Sequence, residues 1–215
     1  MKIILENIGR RFNREWIFRQ VSYEFKANGR YAILGPNGSG KSTLLQVIAG
    51  NLTPSEGKIS YSLQDQIIDV ESLYQHISLA APYLELIEDF SLLEIIEFHF
   101  NFKNYLPGIN QQSLIELLGF ERARNKAIKN FSSGMKQRLK LAFAICSATP
   151  ILLLDEPTAN LDKQGIAWYT QLVERFAMDR MIIVCSNQEH EYQFCDEHLL
   201  VMNYKTFNQV EIKSN

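Results

Sequence analysis

Nine consecutive residues, Gly35-Pro36-Asn37-Gly38-Ser39-Gly40-Lys41-Ser42-Thr43, leave little freedom in what this chain can fold into. They satisfy the phosphate-loop pattern G-x-x-x-x-G-K-[ST] in full. The flanks fit as well. Tyr31-Ala32-Ile33-Leu34 reads as a short buried strand, and Ser42 to Ala49 reads as a helix stopped by Gly50. In a strand–loop–helix of this kind the glycines let backbone N–H groups curl around phosphate oxygens, and the new helix turns its positive end toward them. The pattern gives Lys41 to the β- and γ-phosphates and the Ser42 hydroxyl to Mg²⁺. The bland alternative is a glycine-rich turn before an ordinary helix, and the flanks weigh against it. Binding of a nucleoside triphosphate is the first expectation.

The rest of the composition narrows the setting. A length of 215 residues with 46% apolar content predicts one domain, or one domain carrying an insertion. The formal charge of −2 shows no sign of a polyanion partner, so no nucleic acid is expected. Lys2 and Glu6 interrupt the first apolar run, so no secretory leader is expected, and no run approaches ~18 apolar residues. Cys146, Cys185 and Cys195 lack C-x-x-C spacing and read as reduced core thiols of a cytosolic protein.

Periodicity divides the chain. Ile3 and Leu5, then Val21, Tyr23 and Phe25, then Ile59, Tyr61 and Leu63, keep the period of two of half-buried strands. From about 84 to 148 the pattern is helical, as in Leu92, Leu93, Ile95 and Ile96, with a break at Asn101 to Asn110. After Pro150 short apolar strands alternate with helices: strand Ile151–Leu154, helix Lys163–Phe176, strand Met181–Cys185 and a further strand at Leu199–Met202. Continuous apolar strands separated by helices predict a parallel sheet. The expectation is one domain over 1–215. Its core comes in two pieces, about 1–80 and 150–215, around a helical insert at about 84–148.

Two further motifs carry chemistry. Ile151-Leu152-Leu153-Leu154-Asp155-Glu156 places two carboxylates at the carboxyl end of a buried strand, the edge where open α/β sheets bind ligands. Asp155 suits a Mg²⁺ site, and Glu156 suits a general base toward an attacking water. Acids also end strands for no chemical reason, and the upstream phosphate loop together with the four apolar residues before them favours the functional reading. The other motif is Phe131-Ser132-Ser133-Gly134-Met135, opening a helix with Ser132 as N-cap. From Arg122 to Lys140 there are seven basic residues and no acid. Such a helix start either faces solvent or takes an anion from elsewhere.

With these motifs in this order, the chain resembles the ATP-binding cassette (ABC) ATPases, the nucleotide-binding subunits of ABC transporters, over essentially its full length. The resemblance implies a P-loop NTPase core with a mostly parallel sheet, an N-terminal antiparallel β subdomain and an inserted helical subdomain. It implies ATP and Mg²⁺ as cofactors and pairing, head to tail, with a second cassette, as a homodimer or heterodimer. Phe131 to Met135 stands where that family carries L-S-G-G-Q, so Ser132, Ser133, Gly134 and Met135 are expected on a partner's ATP. Ala159-Asn160-Leu161-Asp162 looks like its D-loop, and Phe12, with Trp16 as second choice, looks like its adenine-stacking aromatic. An integral membrane subunit on a separate chain is implied, touching the helical insert and the segment near Pro82. That places the cassette on the cytoplasmic face of a membrane, driving export.

The sequence also departs from the family pattern. Ser133 and Met135 replace signature side chains while Ser132 and Gly134 keep the cap and the close backbone approach. Asn187 stands where the family usually has a switch histidine; it can donate a hydrogen bond but carries no charge. His190 is the residue to compensate if a helix starts there. Pro82 stands where a Mg²⁺-sensing glutamine is expected. Glu156, Lys41 and Asn187 form the expected catalytic set, with slow turnover. The competing readings are a soluble cassette acting as an assembly factor or regulator, and a nucleotide sensor that closes without hydrolysis.

Overall fold

The computed structural model describes residues 1–205; positions 206–215 of the expected second core piece lie outside the described residues. The chain runs through β1 (Lys2–Phe12), β2 (Glu15–Phe25), β3 (Arg30–Leu34), α1 (Lys41–Ile48), β4 (Glu56–Leu63), β5 (Gln66–Ile67) and β6 (Ile77–Ala80). Next come α2 (Leu92–Phe100), α3 (Gln111–Leu118) and α4 (Ser133–Cys146). The last part alternates: β7 (Ile151–Asp155), α5 (Lys163–Phe176), β8 (Met181–Cys185), α6 (Glu189–Tyr192) and β9 (Glu197–Leu200).

The alternating N-terminal segments pair as an antiparallel sheet of order β2-β1-β4-β5. Gln64 and Asp65, at φ 49° and 64°, form the two-residue link from β4 to β5, the left-handed pair that matches strand twist. The second sheet has the order β6-β7-β8-β3-β9, and every pairing in it is parallel. Its central strands are apolar throughout because both faces are covered. Ile151 and Leu153 face the core shared with α1 and the antiparallel sheet, whereas Leu152 and Leu154 face the core shared with α2, α3, α4 and α5. Each fully buried Leu or Ile contributes about 2 kcal/mol from area removed from water. The architecture is the expected one: a parallel-sheet core, an antiparallel β layer and a helical insertion between β6 and β7.

Local chemistry sets the helix limits in the insertion. Ser91 and Glu94 form a reciprocal capping box at the start of α2, and Asn110 with Ser113 does the same for α3, which ends on left-handed Gly119. The carboxyl end of α4 is closed from a distance. Buried Arg180, in the turn before β8, donates to the carbonyls of Ser147 at 2.8 Å and of Ile145. Orphan carbonyls at a helix end need such partners, and a cation there also suits the helix dipole. One boundary differs from the sequence expectation. The last strand is Glu197–Leu200, not Leu199–Met202, and a 3₁₀ turn takes Val201–Tyr204. As an edge strand it buries only Leu199, so the apolar run marks the turn packed beneath it as much as the strand itself.

Candidate nucleotide site

The phosphate loop leaves β3 and enters α1 at the carboxyl edge of the parallel sheet. Gly40 is the residue that makes this entry possible. It caps α1 with φ 104°, and a Cβ there would sit 2.5 Å from Ile17 Cγ2. No side chain caps α1 and no acid lies in its first turn, so its free N–H groups face the loop concavity. Lys41 is 5% exposed and donates through Nζ to the Gly35 carbonyl at 2.7 Å and the Pro36 carbonyl at 3.3 Å. The Ser39 N–H holds the loop's own turn by bonding the Pro36 carbonyl at 3.0 Å. Asn37, Gly38, Ser42 and Thr43 complete the arc.

Beside this arc, β7 delivers Asp155. Its carboxylate is 1% exposed, and neither oxygen has a hydrogen-bond partner. Burial pushes its pKa up to about 6, the charge of Glu156 adds to the rise, and the nearby Ser42 hydroxyl and Lys41 ammonium oppose it. A buried anion without partners is costly, so the site favours a cation. Hard oxygen donors of this kind fit Mg²⁺, which keeps several waters and takes other ligands from substrate phosphates. Among the described residues no group of three His, Cys, Asp or Glu could hold a metal alone. The Asp155 carboxylate and the Ser42 hydroxyl are the side-chain oxygens that could hold such an ion here.

Glu156 has φ 42°, a left-handed backbone that a non-glycine residue adopts only when its surroundings enforce it. The bond from its N–H to the Cys185 carbonyl, 2.9 Å, is one such constraint. The side chain is exposed at the mouth of the site, as a base for water requires. Asn187 reaches the same mouth from β8, and its Nδ2 donates to Asn37 Oδ1 at 2.8 Å. The switch loop and the phosphate loop are thus bonded to each other. His190 is turned elsewhere: its Nε2 lies 3.0 Å from Thr158 Oγ1, at the start of the D-loop stretch. It is half-buried there and bonded to the D-loop stretch.

The signature residues gather at a different cleft. Ser132 caps α4 by accepting the Met135 N–H at 3.2 Å. A cleft of about 370 Å³ is lined by Ser132, Ser133, Gly134 and Met135 together with Asn160 and Asp162. A Cβ on Gly134 would lie 3.1 Å from the Asn160 carbonyl, so the two loops touch through backbone. Asp162 spends its carboxylate on the N–H of Gly165 at 2.8 Å, capping α5. No phosphate-loop residue lines this cleft. Phe12 is 46% exposed with the Arg10 guanidinium 4.6 Å from its ring centroid, while Trp16 lies beneath Arg19 at 4.2 Å. The freer ring is Phe12.

One residue near the metal position escaped the sequence reading. Tyr83 follows Pro82 and is 42% exposed as a whole; burial at its hydroxyl end, with the charge of Asp155, pushes that hydroxyl up to about 12. A phenol therefore stands in the field of Asp155 on the segment where a glutamine was expected. Its only sequence signal was its place after Pro82. That segment is tied to α4, where Lys140 Nζ donates to the Pro82 carbonyl at 3.0 Å.

Comparison with known proteins agrees with this arrangement. The ABC transporter family model matches residues 18–159. The chain is 30% identical over 227 residues to the sulfate/thiosulfate import ATP-binding protein CysA of Mesostigma viride, covering 98% of this chain and 62% of that protein. It is 26% identical to the lantibiotic transport ATP-binding protein SrtF of Streptococcus pyogenes, covering 85% of this chain and 78% of that one. Among solved structures it is similar to the dimeric bacterial ABC transporter cassette MJ0796, with a TM-score of 0.76 at 24% identity, covering 93% of this chain and 94% of the other. The chain belongs to the ABC transporter family, as one of its ATPase cassettes.

Proposed function

We propose that the chain is the ATP-binding and ATP-hydrolysing subunit of an ABC exporter, a single cassette domain that closes head to tail on ATP with a second cassette. The observation that carries this reading is the partnerless Asp155 carboxylate beside Lys41 and Ser42, with Glu156 held in a left-handed backbone at the same strand end. Lys41 holds the β- and γ-phosphates, and the loop from Gly35 to Thr43 wraps them with backbone N–H groups. Mg²⁺, held by Asp155 and Ser42, would supply charge neutralisation on the phosphates. Glu156 takes the proton of the attacking water. Asn187 exchanges its bond with Asn37 for one to the γ-phosphate, steadying it without moving a proton. Phe12 stacks on adenine.

The composite site supports the head-to-tail part of the reading. Ser132, Ser133, Gly134 and Met135 form an acid-free helix start in their own cleft, so their anion comes from another copy or a partner cassette. Asp162 caps α5 with one carboxylate oxygen and lines the same cleft, where it joins the signature residues on the partner's nucleotide. Among the described residues no helix is long and apolar enough to cross a membrane. The relatives named above are ATP-binding proteins of transporters, and this supports a membrane subunit as partner, with the cassette peripheral on the cytoplasmic face. Its docking place is the groove of Pro82, Leu84, Leu86 and Lys140. Export is proposed on the resemblance to compact exporter cassettes; the import protein named above shares the same cassette, so transport in vesicles must decide direction.

Steady-state hydrolysis tests the site. Glu156→Gln is expected to abolish turnover while retaining ATP binding. Asn187→His is expected to raise kcat by up to about 100-fold, the lower end of what a positioned acid–base group contributes. A Glu156→Gln variant as fast as wild type would remove Glu156 as the base. If neither wild type nor Asn187→His hydrolyses ATP, the alternative of a nucleotide sensor, favoured by Asn187 and Pro82, takes its place.

A further inference from the structure

Glu191 is a buried carboxylate, 1% exposed, that none of the roles above uses. Its Oε1 accepts the Thr158 N–H at 2.8 Å and also the Thr158 hydroxyl, while its Oε2 accepts the Ser186 hydroxyl. Its own backbone carbonyl accepts the Tyr169 hydroxyl at 2.8 Å, which pins α6 to α5. With its proton given to Glu191, the Thr158 hydroxyl is left to accept from His190 Nε2. A carboxylate this deep persists because each oxygen is bonded to a donor.

The two loops joined at Glu191 serve different half-sites. Thr158 opens the stretch Ala159–Asp162, whose Asn160, Leu161 and Asp162 line the cleft with the signature residues. Ser186 precedes Asn187, which is bonded to Asn37 of the phosphate loop at 2.8 Å. The Ser186 hydroxyl also accepts the Gln188 N–H at 2.8 Å, so the switch turn is fixed on both sides of Asn187. An unbroken run of bonds leads from Asn37 through Asn187, Ser186, Glu191 and Thr158 to the signature cleft.

We propose that Glu191 is a positioning residue that holds the switch loop and the D-loop as one body, so that nucleotide in the phosphate loop sets the signature cleft offered to the second cassette. This rests on the head-to-tail reading. Loss of the carboxylate would leave each loop folded but independently placed, so the first nucleotide would no longer prepare the second face.

The test measures ATP-dependent dimer formation by size-exclusion chromatography in the Glu156→Gln background, alongside ADP affinity of the single cassette. Adding Glu191→Ala is expected to raise the ATP concentration for half-dimerisation about tenfold or more, with ADP affinity within about twofold. Adding Glu191→Gln is expected to restore dimerisation, because its amide oxygen accepts from Thr158 and its N–H donates to Ser186. Should Glu191→Ala prove unfolded by its melting curve, Ser186→Ala leaves the Thr158 side of Glu191 intact, removes the switch-side bond together with the turn bond to the Gln188 N–H, and is expected to raise the ATP requirement in the same direction. Unchanged dimerisation in folded Glu191→Ala or Ser186→Ala overturns the proposal. An equal loss of ADP affinity also overturns it, since that marks general damage to the fold. If Glu156→Gln alone fails to dimerise at any ATP concentration, the head-to-tail reading falls, and the proposal falls with it.

Discussion

Asp155 concentrates at one residue the conflict between stability and function. Its carboxyl is raised from 3.8 to about 6, chiefly by burial, so the native state holds a proton that the unfolded chain has already released. Between those two values stability falls as pH rises, and above about 6 the loss is complete. Two units correspond to about 3 kcal/mol. In EDTA, Asp155→Asn is expected to melt above wild type at pH 7.5, and the gap is expected to narrow toward pH 4; an equal gap at both values would remove the ionisation argument. The same variant should lose Mg²⁺-dependent ATP binding. Sequence placed this carboxylate at the metal position because four apolar residues precede it. The strain at Glu156 was not legible, since no local pattern encodes a φ of 42° on a glutamate. The Asn187–Asn37 bond was equally hidden, because 150 residues separate its partners.

Elements were legible in proportion to how far their apolar pattern was set by their own burial. β8 and α5 have the ends that the sequence predicts, because β8 is covered on both faces and α5 begins at an Asp162 cap. β9 shifted because an edge strand leaves half its residues in water. α4 is the instructive case. Its start is written locally, in Ser132, but its end is closed by Arg180 from beyond α5. No window of sequence around Cys146 contains that partner. Burial lowers the Arg180 pKa to about 10, still far above neutrality, so the guanidinium stays charged against the carbonyls. Arg180→Leu leaves the Ile145 carbonyl without the guanidinium donor, while the Ser147 carbonyl keeps only the Thr149 N–H at 2.9 Å. It is expected to destabilise the protein by about 2–4 kcal/mol in urea denaturation. Arg180→Lys, which offers a point charge in place of a fork, should recover only part of that. A variant within 0.5 kcal/mol (about the scatter of a neutral surface change) would show that water replaces the guanidinium.

At the scale of the whole molecule, the helical insertion must report to the core, and the segment after β6 is where it does so. Three lysines bind this segment from the helical side. Lys140 donates to the Ala81 and Pro82 carbonyls, Lys136 pairs with Glu88, and Lys129 pairs with Asp89 at 3.1 Å. The Lys129–Asp89 pair is exposed and the Lys136–Glu88 pair partly so, and exposed pairs contribute about 0–1 kcal/mol each. Their effect is therefore on position more than on stability. Lys140 is different: of the three ammonium groups it is the one that bonds backbone carbonyls, those of Ala81 and Pro82, the two residues that follow β6. Pro82 offers no side-chain amide to a metal, and the segment is fastened to α4 through Lys140. Lys140→Ala should therefore leave ATP hydrolysis by the isolated cassette within about twofold, the effect of a surface side chain remote from the phosphates. In the assembled transporter the same change should abolish the response of hydrolysis to the membrane subunit, because a push on the Pro82 groove would no longer reach α4. Reconstituted vesicles with and without the membrane partner measure both quantities. Stimulation by the partner that survives Lys140→Ala would mean that the two parts communicate through the sheet instead.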